Sequence, residues 1–234
     1  AGSSYTFSSV SAPSTMVYRI KSETQTAASE SSSPTSVPML DARSKLIVST
    51  SSSASSAASC GSWDAPCDSI PSALAATSST AATRTVLLLP GVHATSCGST
   101  LGSADVEITT VGGALQTTVD CAEASRGFTI AGTSNVLISG LTITRGLAST
   151  GGGIMMEDAP SVVIDSVDVV SCKSQTMGGG MHLKNSQPID RHSRFISNSG
   201  GNDETGNNVR GGGAYLQEES HATLLNVSFI GNSL

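Results

Sequence analysis

The run Ile189-Asp190-Arg191-His192-Ser193-Arg194 is the most charged strand-length stretch in the second half of the chain. A guanidinium beside an imidazole on an outer face can grip an acidic sugar or abstract a proton. Asp190, Arg191, His192 and Arg194 are therefore candidate sugar-binding residues, against the commoner use of such a run as a solvated face or a subunit contact. Asp165 and Asp168, in the stretch VVIDSVD, add two carboxylates. Glycoside hydrolysis needs two placed carboxylates, and lyase chemistry needs an acidic calcium cage with a basic proton abstractor. These two acids have no partner carboxylate in clean register one repeat on, so they read as outward surface acids and no catalytic residue is assigned.

Two other patterns invite a ligand and do not hold one. GNDETGNN offers Asn202, Asp203, Glu204 and Asn207 as oxygen donors, but the spacing is not that of an EF-hand, and a polar loop is the simpler reading. Triple glycines begin at Gly151, Gly178 and Gly211. A phosphate loop needs a helix after its glycines and usually a Lys-Ser/Thr pair, and IMMED, MHLKN and AYLQE supply neither. No metal site and no cofactor is expected.

The glycines do recur, and so do the residues after them. Phe128 and Ile130 are followed 26 residues later by Ile154 and Met156, 27 later by Met181 and Leu183, and 33 later by Ala214 and Leu216. A second track runs Ile138 to Ile164 and continues less cleanly into QPIDRHSR and HATLLN. A third runs Ile143, Val169, Phe195 and Phe229. The longer last interval is accounted for by a polar insertion at 200–209. Three short strands per turn of about 26 residues, all in one direction, describe an all-β chain wound as a right-handed single-stranded parallel β-helix. Six coils are expected, opening near Val86, Val106, Phe128, Ile154, Met181 and Ala214. The glycines then sit at sharp corners just before the first strand of the last three coils.

The stretches TVLLLPGVH, NVLISGLTITRG and GGGI, with the cadence GGGAY to NVSFIGNS, resemble the pectin-lyase-like β-helices. Within these they are most similar to the subgroup with polymorphic-outer-membrane-protein-type GGA-I and F-x-x-N repeats. The resemblance covers about residues 60–234. Galacturonase-like members carry NTD, DD, GHG and RIK motifs, none of which occurs here. The resemblance also implies a short helix closing the open end of the core. CDSIPSALAA fits that helix on its own terms: Asp68 or Ser69 can cap it, Pro71 suits its first turn, and Leu74 is its apolar anchor.

Composition agrees with a small-residue β core: 38% hydrophobic, 3% aromatic and 13% charged, with 24 glycines. A net charge of −6 argues against nucleic acid as a partner. The longest apolar runs, such as TVLLL, are far too short to span a membrane. The five cysteines lack paired zinc spacing. Cys60 with Cys67 and Cys97 with Cys121 are read as disulfides closing short loops, leaving Cys172 odd; five reduced thiols are the alternative.

Three segments follow: a Ser/Thr-rich extended arm at 1–59, a disulfide-flanked cap at 60–84 and the β-helix at 85–234. Ser and Thr make up 26 of the first 59 residues, too polar to order unaided. Alternation places Tyr5 with Phe7, and Met16 with Tyr18 and Ile20, as candidate assembly contacts, while KLIV at 45–48 is a third strand of the arm. Asn226, in Asn226-Val227-Ser228, is the one glycosylation sequon, with Leu225, Val227 and Phe229 taken as inward. The chain stops in mid-coil at Leu234 with no evident cap. The expected function is a secreted or cell-surface structural glycoprotein, non-catalytic, forming a homo-oligomer or fibre through the arm and the β-helix ends. The alternatives are a polysaccharide-binding or lyase-like β-helix, and an adhesin fragment.

Overall fold

The computed structural model describes residues 45–51, 60–76, 83–133, 135–201 and 210–234 and, within the first 44 residues, the backbone of four two-residue strands. Two compact units result, Ala1–Ser44 and Lys45–Leu234. In the first, Tyr5–Thr6 pairs antiparallel with Lys21–Ser22, and Ser11–Ala12 with Thr15–Met16. Tyr5 and Met16 thus lie in strands; Phe7, Tyr18 and Ile20 lie outside the described residues.

The second unit is a parallel β-helix. Lys45–Val48, Thr83–Leu88, Asp105–Thr110, Val136–Ser139, Val162–Asp165, Ile189–Arg191 and Thr223–Leu225 form a seven-stranded sheet. A six-stranded sheet runs from Gly91–Val92 to Ser228–Ile230, and a five-stranded one from Ser99–Leu101 to Ala214–Gln217. A short fourth sheet, Leu147–Thr150, Lys173–Met177 and Ser199–Gly200, supplements the three strands per turn read from the repeat. The KLIV strand belongs to the seven-stranded sheet, pairing with Thr85–Leu88, although it falls in the segment read as arm.

The winding comprises about four turns, not six. Val86 and Val106 sit in the seven-stranded sheet, whereas Phe128, Ile154, Met181 and Ala214 sit in the five-stranded one. Val106 and Phe128 lie on two faces of one coil, so a single series counts that coil twice.

The apolar tracks stack as the spacing predicts: Phe128 on Ile154, Ile154 on Met181 and Met181 on Ala214, and Ile143, Val169, Phe195 and Phe229 in the six-stranded sheet. Ile130, Ile138, Ile143, Ile154 and Ile164 are all fully buried, each worth roughly 2 kcal/mol in removal of apolar surface from water. Phe195 and Phe229 lie parallel, centroids 4.9 Å apart.

Corners between sheets are made by single residues in the left-handed region. Gly140, Ser166, His192 and Asn226 turn the chain from the seven- to the six-stranded sheet, with φ of 71°, 56°, 56° and 57°. Arg145, Ser171, Ser197 and Gly231 do the same after the six-stranded sheet, and Asp158, Asn185 and Glu218 after the five-stranded one. Each such corner breaks strict alternation, so counting back from an inward Phe229 misplaces the residue before the corner. Leu225 pairs with Arg191 and so lies on the outward track of Asp165; Leu224 is the inward residue. The expectation of an inward Leu225 is thereby corrected, while Val227 packs on the core as expected.

Corner N–H groups, freed by the turn, are met from the next coil. Ser186 Oγ accepts from Ala159 N at 3.1 Å, Ser220 Oγ from Ser186 N at 3.2 Å and Ser193 Oγ from Val167 N at 3.2 Å. At the F-x-x-N corner Asn198 Oδ1 accepts from Cys172 N and Asn232 Oδ1 from Asn198 N, both at 2.9 Å. Cys172 occupies the equivalent place one coil earlier, its Sγ accepting from Gly146 N at 3.3 Å. The odd cysteine is therefore a structural stand-in for the repeat's asparagine, and burial pushes its thiol up to about 12.

No glycine of the three triplets has room for a side chain, and the first of each is also left-handed. The first of each, Gly151, Gly178 and Gly211, has φ of 58°, 64° and 61°. The second and third have no room: a Cβ on Gly152, Gly179 or Gly212 would strike the carbonyl of Lys173, Ser199 or Ser233.

The helix Ile70–Ala76 starts at Ser69, whose Oγ accepts from Ser72 N at 3.2 Å. It buries Ile70 and Ala73, with Leu74 only partly covered, against the first strands of the β-helix. Both expected disulfides, Cys60–Cys67 and Cys97–Cys121, are formed, leaving Cys172 free and buried. Their sequence separations are 7 and 24. The chain-entropy relation gives the longer loop about 3.5 kcal/mol and the shorter about 2.5 kcal/mol. Replacing Cys97 and Cys121 by Ser should accordingly lower the urea midpoint more than replacing Cys60 and Cys67, and equal losses would contradict loop length as the cause.

Candidate functional site

The four residues of the charged strand do not share a face. Ile189 and Arg191 point outward, Asp190 points into the core with 0% exposure, and His192 is the left-handed corner. Phe195 inward places Arg194 outward. The expected outer cluster of Asp190, Arg191, His192 and Arg194 is therefore corrected: the corner at His192 shifts the alternation, and Asp190 separates from the three bases.

Each base instead meets an acid of the preceding coil. Arg191 Nε lies 3.0 Å and His192 Nδ1 3.2 Å from the two oxygens of Asp165. Arg194 Nε donates to Asp168 Oδ1 at 2.8 Å in a two-pronged pair. Partial burial works against ionisation of Asp165, but the bonds from His192, Ser166 and Arg191 outweigh it and hold its carboxyl below the ordinary value. The bond to Asp168 raises Arg194. One repeat on from Asp165 and Asp168 the chain carries no second carboxylate but the opposite charge, Arg191 and Arg194.

The same arrangement recurs around the coil. Arg145 pairs with Asp120 and Lys184 with Glu157 at 2.7 Å one coil back, and Lys173 reaches Glu123 at 2.7 Å two coils back. These pairs are largely exposed, and individually such contacts contribute little.

A groove of about 330 Å³ opens beside Asp168 and Arg194, overhung by the turn 112–116 and lined by Gln116, Ser166 and His192. Leu115, at the tip of the turn, is 90% exposed. The groove presents a guanidinium, an imidazole, an amide and a hydroxyl next to an apolar lip, a set able to hydrogen-bond a sugar hydroxyl or carboxylate. On the outer face of the five-stranded sheet, His182 is almost wholly buried between Met155 and Tyr215, its Nε2 3.1 Å from Gln217 Oε1. Burial holds its imidazole below the usual value.

Asn226 is exposed at its corner. Asn202, Asp203, Glu204 and Asn207 lie outside the described residues. Among the described residues no group of three or more His, Cys, Asp or Glu side chains could hold a metal ion, and no helix is long and apolar enough to cross a membrane. Compared with protein-family models, curated proteins and solved structures, the chain matches none.

Proposed function

We propose that this chain is a structural module of a secreted or cell-surface β-helix protein, non-catalytic, which assembles with copies of itself. The observation that carries the reading is the use made of its outward charges. Arg145, Lys184, Arg191 and Arg194 each close an ion pair onto an acid of a neighbouring coil and Lys173 onto one two coils away, so the groups able to do chemistry act between coils. The two disulfides suit an oxidising compartment, and the exposed Asn226 is placed to carry a glycan. On this proposal the GGA-I and F-x-x-N cadence is read as a resemblance to the pectin-lyase-like β-helices of polymorphic-outer-membrane-protein type, and the Ser/Thr-rich arm as the source of contacts with neighbouring subunits.

The test is sedimentation of the secreted protein with and without residues 1–44, a cut that spares the Lys45–Val48 strand. The full chain should sediment as a higher assembly and the shortened one as a monomer; identical masses would remove the arm from assembly. A carbohydrate-binding module is the second reading, favoured by the groove at Gln116, Ser166, His192 and Arg194. Retention of the protein on a uronide polymer, or release of unsaturated sugar from it, would move the function to that groove.

A further inference from the structure

One inward column of the seven-stranded sheet runs Val86, Ile108, Ile138, Ile164, Asp190 and Leu224. Five of its six members are aliphatic and the fifth in order is a carboxylic acid. Asp190 is 0% exposed, and neither of its oxygens has a hydrogen-bond partner.

Every cation nearby is turned away and engaged. Arg191 and His192, on its own strand and corner, hold Asp165; Arg194 holds Asp168; Lys184, at the outer face of the five-stranded sheet, holds Glu157. The buried hydroxyls of Ser186 and Ser193 donate to the carbonyls of Lys184 and Arg191. Leu224 stacks on one side and Ile164 on the other, and the inward residues of the other two sheets at this end are Met181, Leu183 and Phe195. A buried carboxylate with no paired cation, beside a Ser193 hydroxyl that donates to the Arg191 carbonyl, is most stable as the neutral acid.

We propose that Asp190 is a proton-operated latch: protonated, it packs as a neutral core residue and keeps Ile189–Arg191 closed, and ionised, it opens that strand and the Thr223–Leu225 strand stacked on it. Burial pushes the Asp190 carboxyl up to about 6, with Ser193 opposing the rise and the Asp165 charge adding to it. A carboxyl that binds its proton more tightly folded than unfolded contributes stability fully below its unfolded value. That stability is lost as the pH rises through about 6. From an ordinary value of 3.8 the rise corresponds to roughly a hundredfold change in the folded-to-unfolded ratio. His93 and His182, held below their usual value by burial, act in the opposite sense, losing stability as the pH falls below their unfolded value of 6.5. The wild-type profile is therefore a composite, and a matched variant is needed to isolate Asp190.

The experiment compares the full chain with Asp190→Asn by chemical denaturation and by hydrogen exchange, from about pH 4 to pH 8. Whatever fixed offset the amide introduces, the ratio of the two unfolding constants should change by roughly a hundredfold across this window in favour of the variant at high pH. Amide exchange in 186–196 and 220–230, corrected for intrinsic rate, should accelerate as the pH rises from about 4 to about 6 and level off above it, in the wild type alone. Asp190→Leu, which copies the aliphatic members of the column, gives the same comparison if the amide does not fold. Parallel pH profiles for wild type and variant overturn the latch, as does a stability difference without extra exchange in these two segments.

Discussion

Gly179→Ala is expected to lower the melting temperature by about 10 °C or to prevent folding, whereas Gly113→Ala should lower it by only a few degrees. Gly179 is the middle glycine of its triplet and does not have a positive φ, so its conformation is open to any residue. What forbids a side chain is space. A Cβ there would strike the Ser199 carbonyl and stand 2.7 Å from the Gly212 oxygen. Neither atom can retreat, because Ser199 N is bonded to Cys172 O at 2.9 Å and Gly180 N to Gly212 O at 2.9 Å. Forcing a methyl against fixed backbone costs about 3 kcal/mol or more. In a unit of this size each kcal/mol is worth about 2–4 °C. Gly113 has φ of 71° and nothing within 4 Å of an added Cβ, so alanine there bears only the left-handed penalty of about 1 kcal/mol. Differential scanning calorimetry of the two variants separates the roles, and equal losses would show that the Ser199 and Gly212 carbonyls yield to a methyl and that lack of space is not what selects glycine at 179.

The repeat was legible because its signal is redundant. Phe128, Ile154, Met181 and Ala214 recur at intervals that the stacking register reproduces residue for residue. The number of turns was not, because inward residues on two faces look alike until a strand is assigned to its sheet. The direction of Asp190 was hidden for a different reason. The left-handed corners are occupied by Ser166, His192 and Asn226 as well as by Gly140, so no glycine marks the point where alternation slips by one residue. Aligning Asp190 to Ile164 and Ile138 at the fixed spacing of 26 would have placed it inward, since position in the repeat outranks local polarity. The ion pairs were invisible to a search for like groups at equivalent positions, since Asp165 and Asp168 are complemented there by Arg191 and Arg194.

Asn198→Ala is expected to cost about 3–4 kcal/mol, and Asn198→Cys only about 1 kcal/mol. Asn198 is fully buried and joins three coils at once. Its Oδ1 accepts from Cys172 N at 2.9 Å, and its Nδ2 donates to Val169 O at 2.9 Å and to Asn232 Oδ1 at 3.0 Å. Alanine leaves the Cys172 N–H buried without its acceptor and empties the volume of the amide, two losses that add because neither water nor a neighbouring strand can enter the corner. Cysteine has been placed at the equivalent corner by the chain itself: Cys172 accepts from Gly146 N at 3.3 Å, a longer and weaker contact that still satisfies the donor. A thiol at 198 should therefore keep the ladder and lose only the bonds made by Nδ2. Urea titrations at neutral pH should rank wild type above Asn198→Cys and Asn198→Ala last. If the two variants unfold together, the corner requires only a small side chain, and the hydrogen-bond ladder is not what holds one coil to the next.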